Sequence, residues 1–223
     1  MPMNERDLKP AGQLASFYGV KSLVYGAPGV GKTPVINTAP RPVMLVCEPG
    51  LLSMRGSNVP AFEAYTAPKI REFFVWLHTS AEAKKYDTFC WDSISHGAEI
   101  ILSEKLKLFS HGLKAYGEMA TEINEIADKL YFMPQKHIYL VAKRALVAAK
   151  YQPFFPGNDL NIKIPHKYDD ILYMALSQIP GMVAPTVCFR TKETFEFMAR
   201  NRSGKLDEYE EPNLTKMFAK AMS

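Results

Sequence analysis

From Gly19 the chain runs Gly19-Val20-Lys21-Ser22-Leu23-Val24-Tyr25, then Gly26-Ala27-Pro28-Gly29-Val30-Gly31-Lys32-Thr33, then Pro34-Val35-Ile36. An apolar strand, a glycine loop and a helix start in this order constrain the fold strongly, because such a loop is launched by a buried parallel strand and received by a helix. The loop meets the pattern G-x-x-x-x-G-K-[ST] at every fixed position. Its glycines let backbone N–H groups converge on phosphate oxygens, and the following helix start adds positive dipole. Lys32 reaches terminal phosphates, and the Thr33 hydroxyl can ligate Mg²⁺. Gly26, Ala27, Pro28, Gly29, Val30, Gly31, Lys32 and Thr33 are therefore the expected contacts of a nucleoside triphosphate. Pro34 is compatible with a helix start, where no N–H donor is required.

The chain has 223 residues, 47% of them hydrophobic, which suits one α/β domain with a full core. A net charge of +4 permits an anionic partner without demanding one. Cys47, Cys90 and Cys188 are far apart, lie in apolar runs and lack metal-ligand spacing, so buried free thiols in a reducing, cytoplasmic setting are expected. None of the five histidines has a metal-ligand partner at helical spacing, and zinc is not expected. No charged-then-apolar leader and no apolar run of membrane-spanning length is present, so neither export nor membrane insertion is expected.

Residues 1–13 read as a flexible N-terminal arm, 14–206 as the main α/β domain and 207–223 as a C-terminal tail with a short helix. Strands are expected at Val20–Tyr25, Val43–Cys47, Thr88–Trp91, Ile138–Ala142, Asp170–Ala175, Thr186–Arg190 and Thr194–Ala199, the last two forming an edge hairpin around Thr191-Lys192-Glu193. Helices are expected at Lys69–Ala83, Ile94–Phe109, Tyr116–Met133 and Leu214–Ala221. Alternation of the two gives a mostly parallel sheet flanked by helices.

Two acidic residues end apolar strands. Asp92 closes Thr88-Phe89-Cys90-Trp91, as a Mg²⁺-holding carboxylate beside Thr33 would, although an Asp-Ser pair before Ile94 also suits a helix N-cap. Glu48 follows Val43-Met44-Leu45-Val46-Cys47, where ends of parallel strands converge on the ligand crevice. A carboxylate there can orient an attacking water, while a turn residue before Pro49-Gly50 is the alternative.

This order of phosphate loop, strand ending in Glu and apolar strand ending in Asp-Ser resembles the RecA-like P-loop ATPases. With Cys47-Glu48-Pro49-Gly50 and a late Arg200-Asn201-Arg202-Ser203-Gly204, it is similar to the small phage RecA-like proteins of single-strand annealing and recombination. The resemblance covers most of residues 19 to 206 and implies a RecA-like core, ATP and Mg²⁺ as ligands, Glu48 as catalytic base beside Lys32, and Asp92 as the metal carboxylate. It implies adenine stacking at Arg55, and Arg200 and Arg202 reaching the γ-phosphate of a neighbouring subunit. Lys143 stands where the family carries a glutamine that senses the γ-phosphate, and the two readings are sensing by point charge at Lys143, or Lys143 and Arg144 facing DNA. Arg200 stands where the family has Lys, and Ser203 where it commonly has an aromatic residue.

Basic and aromatic residues share two stretches, Phe109 to Gly117 and Lys143 to Lys167, matching the DNA-binding loops of the family. Cations there would follow phosphates while rings stack on bases, making Lys114, Tyr116, Arg144, Lys150, Lys163 and Lys167 the candidate DNA contacts. The expected function is a Mg²⁺-dependent, DNA-stimulated ATPase. It would assemble head-to-tail on single-stranded DNA, with a single-strand binding protein as a further partner, and promote annealing or recombination. Alternatives are a small-molecule or nucleotide kinase and an ATP-gated helicase loader.

Overall fold

A computed structural model describes residues 8–15 and 17–223. The part of the expected N-terminal arm at residues 1–7 lies outside the described residues; Ala11–Ala15 form a short helix, α1. The elements that follow are β1 (Lys21–Gly26), β2 (Pro42–Val46), β3 (Ala61–Glu63), α2 (Ala67–Thr79), β4 (Thr88–Asp92), α3 (Ile94–Leu108), α4 (Gly112–Tyr131), β5 (His137–Val147) and β6 (Lys150–Phe154). The chain then forms α5 (Asn158–Lys167), β7 (Asp170–Ser177), β8 (Thr186–Arg190), β9 (Arg200–Asn201), β10 (Tyr209–Glu210) and α6 (Leu214–Ala221).

The sheet order is β10-β8-β7-β1-β5-β4-β2-β3, with β6 paired to β5 and β9 to β7. From β7 through β1, β5, β4 and β2 to β3 every pairing is parallel, so the carboxyl ends of the loop strand β1 and the acidic strands β2 and β4 share one edge. This is the mostly parallel α/β fold the sequence predicts. Its central strands are apolar because both faces are covered. One face packs Leu23, Tyr25, Leu140 and Trp91 against α2, α3 and α4. The other packs Val24, Met44, Tyr139 and Val141 against Val35, Ile36 and the apolar side of α6. All three cysteines are free and buried.

Three expectations need correction. The helix after the phosphate loop is a 3-10 turn of five residues, Pro34–Thr38, because Pro40 and Pro42 follow too closely for an α-helix to continue. The edge is antiparallel as expected, but β8 pairs with β7 and β10 rather than with Thr194–Ala199. Residues 207–223 carry the short helix expected there, α6, which packs onto the sheet: Leu214, Met217 and Phe218 are buried, and the Leu214 N–H donates to Thr38 Oγ1 at 2.8 Å. The basic stretch from Lys143 to Lys167 is not one loop but a β5–β6 hairpin followed by α5.

Candidate nucleotide-binding site

β1 ends at Gly26, where a Cβ would lie 2.3 Å from the Met174 carbonyl oxygen on β7, so only glycine lets the two strands approach at the loop's start. Gly29 and Gly31 turn the loop with φ of +75° and +104°, a region that side chains strain to enter. Buried Tyr139 on β5 donates its hydroxyl to the Lys32 carbonyl at 3.0 Å and braces the loop from beneath.

The Lys32 ammonium donates to the carbonyls of Gly26, at 3.0 Å, and Ala27, at 2.8 Å. Burial lowers its pKa; the charges of Asp92 and Glu48 oppose that shift and the Arg144 guanidinium adds to it. The Thr33 hydroxyl donates to Asp92 Oδ2. Asp92 reaches it because β4 sits between β2 and β5, with Asp92 level with Val46 and Val141 at the carboxyl edge. Burial raises the Asp92 pKa, Thr33 opposes the shift, and nearby Glu48 adds to it.

The helix-cap alternative for Asp92 resolves one residue later. Ser93 is the N-cap of α3, its Oγ accepting from the His96 N–H at 3.2 Å and donating to Glu48 Oε1 at 2.7 Å. One hydroxyl thus starts a helix and holds the second acid, leaving Asp92 free for Thr33. The Asp92–Ser93 peptide is cis. The role of Ser93 in holding Glu48 and that of Tyr139 were missed at the sequence level. The Asp-Ser pair did signal a cap, but the 45-residue reach from Ser93 to Glu48 is visible only in three dimensions.

These residues fit a magnesium nucleotide. Two glycines open the cradle, the ammonium is held only by neutral carbonyls that a phosphate can replace, and a hydroxyl and a carboxylate present adjacent hard oxygens. Among the described residues no cluster of three or more His, Cys, Asp or Glu could cage a metal. Mg²⁺ is commonly held by one or two protein oxygens plus phosphates and water, a set that the Thr33 hydroxyl and the Asp92 carboxylate can begin.

Other candidates lie elsewhere. Lys143 is not directed to the loop: its ammonium bonds Glu99 on α3 at 2.6 Å. Its neighbour Arg144 donates to the Tyr173 hydroxyl at 3.1 Å and lies over the Tyr151 ring at 4.2 Å. Arg55 lines a separate shallow cleft with Pro49, Leu52 and Met54. Arg200 and Arg202 are held by groups of their own chain. β9 pairs with the first residues of β7, beside Ser22 and Leu23, whereas the loop leaves β1 at the opposite edge. Arg200 donates to the carbonyls of Pro165, at 2.6 Å, and Tyr168, at the end of α5, and Arg202 pairs with Asp169 at 2.9 Å. Three DNA candidates hold acids of their own: Lys150 bonds Glu193, Lys163 bonds Asp159 at 2.9 Å and Lys167 bonds Asp128 at 2.5 Å. Lys114 lies over the Phe109 ring at 4.7 Å, and partly exposed Tyr116 sits beside Gly157.

The profile of the AAA domain family matches residues 18–203. A solved KaiC-like protein from the hyperthermophilic archaeon Pyrococcus horikoshii OT3 is similar at 14% identity, over 78% of this chain and 79% of that chain, with a TM-score of 0.46. No curated protein matches. The family match spans the loop, both strand-end acids and most of the sheet: the chain belongs to the AAA domain family and is a P-loop ATPase by fold, built to bind nucleotide.

Proposed function

We propose that the protein is a Mg²⁺-dependent ATP hydrolase whose turnover serves work on single-stranded DNA, in annealing or recombination, by subunits assembled head-to-tail. The observation that carries the hydrolase reading is the relay from Thr33 to Asp92 and from Ser93 to Glu48. It sets two carboxylates of different task at the edge where the phosphate loop opens.

Lys32 would exchange the Gly26 and Ala27 carbonyls for phosphate oxygens, an exchange that costs little because neutral acceptors are traded for charged ones. Thr33 and Asp92 would hold Mg²⁺, which when bound neutralises charge on the phosphates. Glu48, held by the Ser93 hydroxyl on one oxygen, keeps the other to accept a hydrogen bond from the attacking water and then its proton. Asp92 binds metal as an anion, so its raised pKa predicts that Mg²⁺-nucleotide affinity falls at a higher pH than an ordinary carboxylate would dictate.

The DNA part rests on the paired cations and rings of Lys114 with Phe109 and Arg144 with Tyr151, and on the +4 net charge. Glu48→Gln keeps ATP binding within about twofold and lowers hydrolysis by about a hundredfold or more, the range a lost general base costs. Hydrolysis in the native protein rises with single-stranded DNA, and the rise fades as salt increases. Undiminished turnover in Glu48→Gln contradicts the role of Glu48 as base, and absence of ATP hydrolysis in the native protein contradicts the hydrolase assignment. Phosphate transfer to a nucleoside or metabolite, with no DNA response, supports a kinase instead.

A further inference from the structure

We infer that α6 is a clasp for the phosphate loop: it fastens the turn that receives the loop, with Thr38 as the positioning residue, and so keeps Thr33 where a magnesium nucleotide needs it. The inference rests on the nucleotide reading above.

A helix that follows a phosphate loop holds the loop's last residues through its own ladder of hydrogen bonds. Here Thr33 is followed by a 3-10 turn of only five residues, Pro34–Thr38. So short a run has poor bond geometry and no length over which to cooperate, so its position depends on what it packs against. Val35 and Ile36 are buried, and the cluster that covers them includes Leu214, Met217 and Phe218 of α6. The apolar side of α6 thus supplies the support that the turn cannot give itself.

The polar contacts converge on one residue. The Thr38 hydroxyl donates to the Val35 carbonyl at 2.6 Å and accepts from the Leu214 N–H at 2.8 Å, while the Thr215 hydroxyl donates to the Thr38 carbonyl at 2.6 Å. Leu214 is the first residue of α6, and its N–H has no acceptor within the helix, so Thr38 caps α6 from outside. Asn213 caps it from within, accepting from the Lys216 N–H at 3.1 Å. Further along α6, Phe218 stacks on the His137 ring at 4.3 Å, and His137 Nδ1 accepts from the N–H of Val20, just before β1, at 3.1 Å. One helix therefore touches the turn after the loop and, through His137, the strand before it.

The route to the site is short. The Ile36 N–H donates to the Thr33 carbonyl at 3.0 Å, so a displaced turn draws Thr33 with it and parts its hydroxyl from Asp92. Mg²⁺ demands near-ideal octahedral geometry, which makes the metal-dependent part of nucleotide affinity the part most sensitive to that displacement. The coupling is reciprocal: a nucleotide that fixes Thr33 also fixes α6.

The test titrates native protein, Thr38→Val and Thr38→Ser with a nonhydrolysable ATP analogue by calorimetry, with and without Mg²⁺, and follows their urea denaturation. Valine keeps the shape of threonine but loses both hydroxyl bonds, and serine keeps them. Thr38→Val is expected to lose about tenfold in affinity with Mg²⁺ and no more than about threefold without it, while Thr38→Ser stays within about twofold of native. A variant that loses stability alone, or affinity equally with and without Mg²⁺, overturns the positioning role while leaving the nucleotide site standing. Thr215→Val leaves the turn's sequence intact and serves where Thr38→Val does not fold: a loss of about threefold with Mg²⁺ supports the clasp, and unchanged affinity overturns it. Hydrogen exchange reads the reciprocal effect at the Met217 amide, which bonds the Asn213 carbonyl at 3.0 Å within α6. Exchange slowed by the Mg²⁺-bound analogue in native protein supports the coupling, and exchange indifferent to nucleotide overturns it. Native protein that binds no nucleotide overturns the nucleotide reading and this inference with it.

Discussion

Asp170, at the start of β7, shows how one buried group sets a pH dependence far from the phosphate loop. Its side chain is about 1% exposed, Ser22 donates to Oδ2 at 3.5 Å, and Oδ1 has no partner. Burial pushes its pKa up to about 7, and the neighbouring Asp169 carboxylate adds to the shift. Asp170 therefore keeps its proton in the folded chain at a pH where the unfolded chain has released it. Stability falls by roughly 1.4 kcal/mol per unit as pH rises from about 4 to about 7 and is flat above, a total of about 4 kcal/mol. In Asp170→Asn this component of the slope is absent. Urea denaturation at pH 5 and pH 7.5 is expected to show the variant gaining stability relative to native protein at the higher pH, and a constant difference would refute the burial account. At this scale the sequence revealed the loop residues, Glu48 and Asp92, because each is defined by a motif or a strand end. It could not reveal the different partners of the adjacent cations Lys143 and Arg144: side chains alternate along a strand, and Glu99 and Tyr173 are distant in sequence.

At the scale of elements, β1, β2, β4 and β5 were legible because strands covered on both faces must be apolar throughout, and α3 and α6 because Ser93 and Asn213 cap them. β6 and α5 were not legible. Their residues Lys150 to Lys167 carry three lysines and Pro165, and they gain order by packing Phe155, Leu160 and Ile164 into the core rather than by local pattern. The expected hairpin partner failed for a similar reason. Thr194–Ala199 alternates as a strand should, yet Phe195 is fully exposed and the edge position beside β8 is taken by Tyr209–Glu210 from further along the chain. Arg200 belongs at this scale too. Its guanidinium binds the carbonyls that end α5, as a cation at a helix C-terminus does. Arg200→Ala leaves those carbonyls without their donor and is expected to cost about 1–3 kcal/mol in urea denaturation, with turnover per folded molecule unchanged. Lost turnover at unchanged stability would instead restore Arg200 as a finger acting on a neighbouring subunit.

For the molecule as a whole, the parallel order of β2, β4, β5, β1 and β7 brings the loop, Asp92 and Glu48 to one edge, while the Arg200 and Arg202 pairings lie at the other. Among the described residues no helix is long and apolar enough to cross a membrane. Lys150, Lys163 and Lys167 each hold a carboxylate of their own, so a polynucleotide contact that leaves those pairs intact draws on fewer cations and has a correspondingly shallower salt dependence. Every further step, whether hydrolysis, assembly or work on DNA, depends on residues 26–33 and Asp92 holding a magnesium nucleotide. The most direct measurement is calorimetric titration of native protein and Lys32→Ala with a nonhydrolysable ATP analogue, with and without Mg²⁺. The account predicts saturable binding to native protein that weakens by about tenfold or more without Mg²⁺ and again in Lys32→Ala. Binding of equal strength in all arms, or none to native protein with Mg²⁺, would contradict it.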